Sequence, residues 1–340
     1  MTKPRRKFGK RLTIYDLAKL AGVSPTAVSS VLNGTWKKRR ISANLAERIK
    51  HIADENGYAL NMQASGLRRD NSRLIGMIVP KYDNRYFGSI VEKFESMARD
   101  RGLFPIITCT QRNPELEVQA ARAMISHQVD CLIATGATDP DRITKICSKA
   151  GVRSLNLDLP GKLTSSVISD NFHGAFELTK RILSASAGTR QPDEPLLYIG
   201  GRTDHNTLER IKGFSKAHEE AGIQVDNNLI LATGYAPEKA QIALEELAAT
   251  RGKLPSAMFV NSTISLEGVM RWIKTTGHYG KNIPHIGCFD WDPLVSVFNE
   301  NILMVRQDVS TMLQTLFQLI DKGTESPQLI KIPTIFDSSK

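Results

Sequence analysis

A chain of 340 residues has room for about two or three domains of roughly 100–200 residues each, and 41% hydrophobic against 24% charged residues is the balance of a globular protein with a real core. That composition excludes a mainly disordered chain, and no stretch reaches the roughly 18 consecutive apolar residues a membrane helix needs. The net charge of +10 is concentrated at one end: residues 1–73 hold 16 Lys/Arg and 5 Asp/Glu, which leaves 29 and 30 for the remainder. A small basic head on a nearly neutral body suits a polyanion, because Lys and Arg displace the counterions condensed on nucleic-acid phosphates. The basic start Met1–Lys7 lacks the apolar run of a signal peptide. Cys109, Cys131, Cys147 and Cys288 form no CxxC pair and no metal spacing, which implies reduced thiols in a cytoplasm and no metal or cofactor.

In the head, Thr13 caps a helix whose first turn holds Asp16, and Ile14, Leu17, Ala18 and Ala21 recur at helical spacing. Gly22 ends it. Ser24 caps a second helix with Pro25 at its first position, where no amide is needed. Val28, Val31 and Leu32 form its inner face, which leaves Thr26, Ala27, Ser29 and Ser30 facing outward. Two short helices joined by a tight turn place a recognition helix in a DNA major groove, where small hydroxyl side chains approach base edges and phosphates. Lys37, Lys38, Arg39 and Arg40 follow, suited to the phosphate backbone, and a third helix runs from about Ser42 to Asn56. The short segment from Asn61 to Arg69 places Ala64 and Leu67 on one face. Alone it is marginal as a helix, and is expected to order only with a partner chain and DNA.

Residues 13–67 resemble the head of the lactose-repressor (LacI/GalR) family. The pattern appears as Thr13-Ile14-Tyr15-Asp16-Leu17-Ala18, Ala21-Gly22-Val23-Ser24, Val28-Ser29 and Val31-Leu32-Asn33-Gly34, followed by Asn61, Ala64 and Leu67. The resemblance implies paired hinge helices in the minor groove, with Leu67 wedged into a central base step. Two departures are Tyr58-Ala59-Leu60-Asn61, where the family often has Tyr-x-Pro-Asn, and Ser65, where it often has Arg. The DNA contacts so implied are Thr13, Tyr15, Ser24, Pro25, Thr26, Ala27, Ser29, Ser30, Asn33, Lys38, Arg39, Arg40, Asn61, Ala64 and Leu67.

Beyond Leu74, short apolar runs alternate with helical stretches. Strands are expected at 74–79, 103–108, 131–134, 152–157, 196–200, 229–232, 257–260 and 285–289, with helices near 85–101, 113–127, 139–150, 206–221, 237–250 and 262–276. Alternation of this kind means doubly wound α/β units, and a return through 302–306 and 308–322 makes two lobes with a cleft. The Ser184–Pro195 segment reads as a surface loop. The family resemblance extends to about residue 325 and implies a periplasmic-binding-protein type I core. The expected organisation is therefore a basic disordered arm (1–12), an all-α helix-turn-helix domain (13–59), a hinge helix and linker (60–72), the two-lobed α/β core (73–325) and a C-terminal tail (326–340).

Ligands of open α/β sheets bind at the carboxyl ends of strands. The candidate effector residues there are Asp83, Tyr86 and Phe87 after the first strand, Asp158 after the fourth, and Asp204, Asn206, Arg210, Asn261, Asp290 and Gln307 in the second half. Arg210, in Leu208-Glu209-Arg210-Ile211-Lys212-Gly213-Phe214, matches the family's ligand-clamping arginine. The span Asn33–Ser42, with Ile78-Val79-Pro80 and Gln128-Val129-Asp130, resembles the fructose- and sucrose-repressor branch. That branch commonly has Arg after the position of Asp158 to hold a sugar phosphate; here Leu159 follows, which points to an unphosphorylated sugar or polyol. A sugar-phosphate or purine effector, or an effector-independent architectural DNA binder, is the alternative. No Walker loop, strand-linked GxGxxG, HExxH or GxSxG is present, so an α/β enzyme with a basic tail is disfavoured. The expected partners are double-stranded operator DNA, a small sugar-like effector and a second copy of the chain, with no membrane. A heptad-rich tail for tetramers is lacking after Ile320.

Overall fold

The computed structural model describes residues 12–58, 71–252, 254–276, 283–298, 302–323 and 326–336. The chain divides between Ser72 and Arg73 into two compact units.

The first unit contains α1 (Ile14–Ala21), α2 (Pro25–Leu32) and α3 (Ala43–Glu55). Thr13 and Asp16 close α1 reciprocally: the Asp16 amide donates to the Thr13 hydroxyl, and Asp16 accepts from the Thr13 amide. Gly22 ends α1 in the left-handed region (φ 64°), and the amides of Val23 and Gly22 reach back to Ala18 and Lys19. Ser24 and Ser42 cap the other two helices. Leu17, Val28, Val31 and Ile49 are buried where the three helices meet. Arg48 of α3 donates to the Ala21 carbonyl at 2.8 Å, satisfying a terminal group of α1.

The second unit holds two six-stranded sheets. Lobe 1 orders its strands β11-β5-β4-β3-β1-β2, from β1 (Leu74–Val79), β2 (Phe104–Cys109), β3 (Cys131–Thr135), β4 (Arg153–Leu157), β5 (Ser166–Ser169) and β11 (Leu329–Ile332). Lobe 2 orders β12-β10-β9-β8-β6-β7, from β6 (Leu197–Ile199), β7 (Ile230–Leu231), β8 (Ala257–Val260), β9 (His285–Phe289), β10 (Ile302–Arg306) and β12 (Ile335–Phe336). Every pairing is parallel except β10 with β12. Helices α4 (Arg85–Asp100), α5 (Pro114–Ser126), α6 (Pro140–Lys149) and α12 (Val309–Lys322) cover lobe 1. Helices α7 (Asn171–Ala185), α8 (His205–Glu220), α9 (Pro237–Arg251) and α10 (Thr263–Thr275) cover lobe 2, and α11 spans Pro293–Phe298. Parallel strands buried on both faces explain the unbroken apolar runs.

Two stretches depart from the sequence pattern. β5 and α7 occupy residues 166–185, where the alternation had marked no element: β5 is short and buries serines (Ser166 and Ser169) rather than aliphatics. The stretch expected as a tail instead supplies β11 to lobe 1 and β12 to lobe 2. Its few apolar residues suffice because an edge strand has only one neighbour to satisfy. α7 and α8 approach closely enough that a Cβ on Gly213 would lie 2.2 Å from the Phe172 carbonyl, so only glycine fits there.

Candidate functional site

The carboxyl ends of the parallel strands face each other between the lobes, and the side chains gathered there form one hydrogen-bonded cluster. Asp158 follows β4 and Asp290 follows β9, both with left-handed backbone (φ 73° and 80°), a conformation aspartate tolerates better than most residues. Both carboxylates are buried. The Tyr86 hydroxyl donates to Asp158 Oδ1 at 3.0 Å. Asn206 Nδ2, from lobe 2, donates to the same oxygen at 3.2 Å and to the Asp158 carbonyl at 3.1 Å. Gln307 Nε2 donates to Asp290 Oδ1 at 2.6 Å, and its Oε1 accepts from the Ser169 hydroxyl of lobe 1 at 2.5 Å.

Arg210 is the buried cation of this cluster. Its Nε donates to Asn171 Oδ1 at 2.8 Å, one guanidinium nitrogen donates to the Asn261 carbonyl at 2.6 Å, and the guanidinium carbon lies 3.6 Å from the Phe289 ring centroid. Burial works against its charge, but Asp290 first, with Tyr235, Tyr198 and Asp158, outweighs burial and raises its pKa. The carboxylates respond in kind. Burial pushes Asp158 up to about 6, against the pull of Arg112, Arg210 and the Tyr86 hydroxyl. Burial also raises Asp290, opposed by Arg210 and Gln307.

The structure brings together Tyr86, Phe87, Asp158, Asp204, Asn206, Arg210, Asp290 and Gln307 as walls of this cleft. Phe87 serves two roles: its ring is packed into the lobe 1 core and also borders the cleft. Asp204 caps α8 through Thr207 and pairs with Arg202 at 3.1 Å. Asp83 is not brought to the cleft. Its side chain is 78% exposed and faces Lys81 at 3.7 Å. The chain turns at the neighbouring Asn84, whose buried Oδ1 accepts the amides of Tyr86 and Phe87 and starts α4. Asn261 lies behind Arg210 rather than on the cleft wall. Its Oδ1 accepts from the Tyr198 hydroxyl at 2.6 Å, and its buried Nδ2 has no hydrogen-bond partner among the described residues.

Sequence reasoning missed Asn84, Arg112, Tyr235 and Ser262, which also line the cleft. Arg112 enters from a turn with positive φ after β2 and lies 4.4 Å from the Tyr235 ring centroid and 5.5 Å from that of Phe87. Asn113, which caps α5 immediately after it, was the one available signal of a tight turn there.

On the head, Thr13, Tyr15, Ser24, Thr26, Lys38, Arg39 and Arg40 are exposed, and Pro25, Ala27 and Ser29 are half-buried. Ser30 points inward instead of outward: it is buried and its hydroxyl donates to the Thr26 carbonyl at 2.8 Å. A serine inside a helix satisfies itself on the preceding turn in this way. Asn33 caps the end of α2 and donates to the Ser29 carbonyl at 2.8 Å. The basic run closes on itself through the Ile41 amide on the Trp36 carbonyl, which leaves its charged groups outside. Asn61, Ala64 and Leu67 lie outside the described residues.

Residues 13–61 match the family model described as bacterial regulatory proteins, lacI family, and residues 75–295 match that of the periplasmic binding protein domain. The chain is 64% identical over 193 residues to the ribitol operon repressor of Klebsiella aerogenes, covering 57% of this chain and 72% of that protein. It is 30% identical over 324 residues to the sucrose operon repressor of Klebsiella pneumoniae, covering 94% and 95% respectively. The fold matches the lac repressor dimer bound to operator and the anti-inducer ONPF, with a TM-score of 0.78 at 21% identity, over 96% of this chain and 97% of that one. No helix among the described residues is long and apolar enough to cross a membrane. These matches span both the helix-turn-helix head and the two-lobed core, and the chain belongs to the LacI family of DNA-binding transcription regulators.

Proposed function

We propose that the chain is an operon repressor released by an uncharged sugar or polyol bound between the lobes of its core. The observation that carries this reading is the charge balance of the cleft. Asp158 and Asp290 face Arg112 and Arg210, while Asp204 is matched by its own partner Arg202. A phosphate dianion would enter a site with no surplus cation, and Leu159 stands on the wall where an arginine would hold it. Carboxylates, amides and a planar guanidinium beside a ring are the groups that hold vicinal hydroxyls. The ribitol operon repressor's name favours a five-carbon polyol.

Operator reading falls to Thr13, Tyr15, Ser24, Thr26, Ala27 and Ser29, with Lys38, Arg39 and Arg40 on phosphates and Leu67 in the minor groove. Two-fold operators call for two chains. The edge strand β2, whose side chains are all at least partly exposed and include Phe104 at 67%, supports a partner surface on lobe 1. The protein then acts on the nucleoid in the cytoplasm, as a binder rather than an enzyme.

The test is thermal unfolding of the full chain with ribitol, other pentitols, ribulose, glucose, fructose, fructose 1-phosphate and guanine. A ligand that binds only the folded state raises the melting temperature. The expected result is a rise with one unphosphorylated compound, which also releases operator DNA in a gel-shift assay. A rise confined to the phosphate ester overturns the charge argument.

A further inference from the structure

Two ion pairs among the described residues join the lobes outside the cleft lining: Lys331 of β11 with Glu209 of α8, at 3.6 Å, and Arg85 with Asp292. Arg85 is the first residue of α4 in lobe 1, and Asp292 follows β9 in lobe 2. Arg85 Nε lies 3.2 Å from Asp292 Oδ2. Each partner is fixed from its own side. Asn84 caps α4 and so sets the backbone from which Arg85 projects. Asp292 Oδ1 accepts the Leu294 amide at 2.8 Å, which leaves Oδ2 for Arg85. A cation in the first turn of a helix sits at the positive end of the helix dipole, and the first turn of α4 holds no acidic residue. Arg85 is therefore disfavoured by its own helix, and the carboxylate that compensates it stands on the other lobe.

We propose that Arg85 is a positioning residue for the effector site: with Asp292 it forms a latch that raises the fraction of molecules in which the lobes are closed. Neither residue lines the cleft, so the latch acts on affinity through closure rather than through contact. An effector that binds the closed form has an apparent affinity scaled by the closed fraction. Arg85 is 51% exposed and Asp292 22%, so the latch is weak, on the order of a two- to five-fold effect at low salt. A weak latch is what a reversible switch needs, because the lobes must also separate.

The proposal rests on the reading of the cleft as the effector site, so one arm of its test does without an effector. Hydrogen–deuterium exchange is measured on the full chain and on Arg85→Asp, Asp292→Arg and the double swap, with no ligand added. Each single substitution is expected to speed exchange at residues 84–88 about two- to five-fold, and the swap to restore it there; residues 290–294 are left out because Asp292→Arg also removes the acceptor of the Leu294 amide. Wild-type exchange in both single variants, or a swap as fast as the two changes combined, overturns the latch. In the second arm, the ligand identified by the thermal screen is titrated into Arg85→Ala. Its affinity is expected to fall two- to five-fold at about 0.05 M salt and to approach wild type at about 0.5 M. An unchanged affinity beside altered exchange overturns the positioning role. If no compound binds the wild type, the effector reading fails, while the exchange arm still decides whether the latch exists.

Discussion

Asp158 and Asp290 occupy equivalent places in the two lobes. Each follows the fourth strand of its sheet counted from the β2 or β7 edge, and each has left-handed backbone and a buried carboxylate. Their partners differ. Asp290 takes its side-chain hydrogen bond from Gln307 of its own lobe. Asp158 takes one from Tyr86 of its own lobe and one from Asn206 across the cleft. Asp158 is thus bonded directly across the cleft, whereas Asp290 reaches lobe 1 only through Gln307, which accepts from Ser169. Coupling between effector and lobe geometry should therefore pass mainly through Asp158: an effector hydroxyl that claims its carboxylate must displace or rearrange Asn206.

Arg210 serves both carboxylates, so its removal gives the largest effect. Arg210→Ala removes the buried one of the two cations that face Asp158 and Asp290 and leaves Asn171 Oδ1 and the Asn261 carbonyl without this donor. The expected loss is about 3–5 kcal/mol of core stability together with the effector response. Chemical denaturation measures the first and gel-shift release the second. A variant of wild-type stability would mean that the carboxylates do not depend on this cation.

The next substitutions separate the two aspartates. The folded pKa of Asp158, about 6, lies above the ordinary value of 3.8 that it regains on unfolding. The folded chain therefore binds the extra proton between these values. Ionised Asp158 destabilises the fold above pH 6, and this cost fades as the pH falls toward 4. Asp158→Asn should raise stability by about 1–3 kcal/mol at pH 7.5 and by little at pH 4, while weakening the effector. Asp290→Asn should shift stability in the same direction, since burial raises that group too. Only Asp158→Asn should change hydrogen exchange around residues 204–207, where Asn206 crosses the cleft. The same exchange response from both variants would erase the distinction.

How far the sequence foretold this arrangement depended on the range of the forces involved. The head was legible almost residue by residue, because Thr13, Ser24, Ser42 and Gly22 act within one turn of their own helix ends. The exception, Ser30, was lost to an equally local bond that no apolar periodicity records. In the core, unbroken apolar strands such as 257–260 and 285–289 showed themselves, whereas β5 hid behind its serines. Asp158, Arg210 and Asp290 were found because strand ends and motif coincide there. Arg112 was not, because what places it is the approach of Tyr235 from the other lobe, more than a hundred residues away in the chain. Asp83 and Asn84 both follow the first strand, and position after a strand does not tell the two side chains apart. The cap that starts α4 decided instead which of the two side chains turns inward.

Tyr86 gives the smallest effect and the sharpest division between two roles. Its hydroxyl donates to Asp158 and favours the ionised carboxylate. Tyr86→Phe removes that donor and leaves the ring in place beside Phe87, whose centroid is 5.0 Å away. A hydrogen bond to a charged group is worth about 1.5 kcal/mol, so the Asp158 pKa should rise by roughly one further unit. If effector hydroxyls donate to the Asp158 carboxylate, affinity falls as that carboxylate gains its proton. The pH at which affinity is half lost should then move upward by about one unit in Tyr86→Phe, with near-wild-type affinity at about pH 8.5, where Asp158 is ionised in both proteins. Calorimetric titration of the effector across this range measures the shift. A loss that is the same at every pH would instead place the Tyr86 hydroxyl on the effector itself, and the contrast between Asp158 and Asp290 would then lose its support from lobe 1.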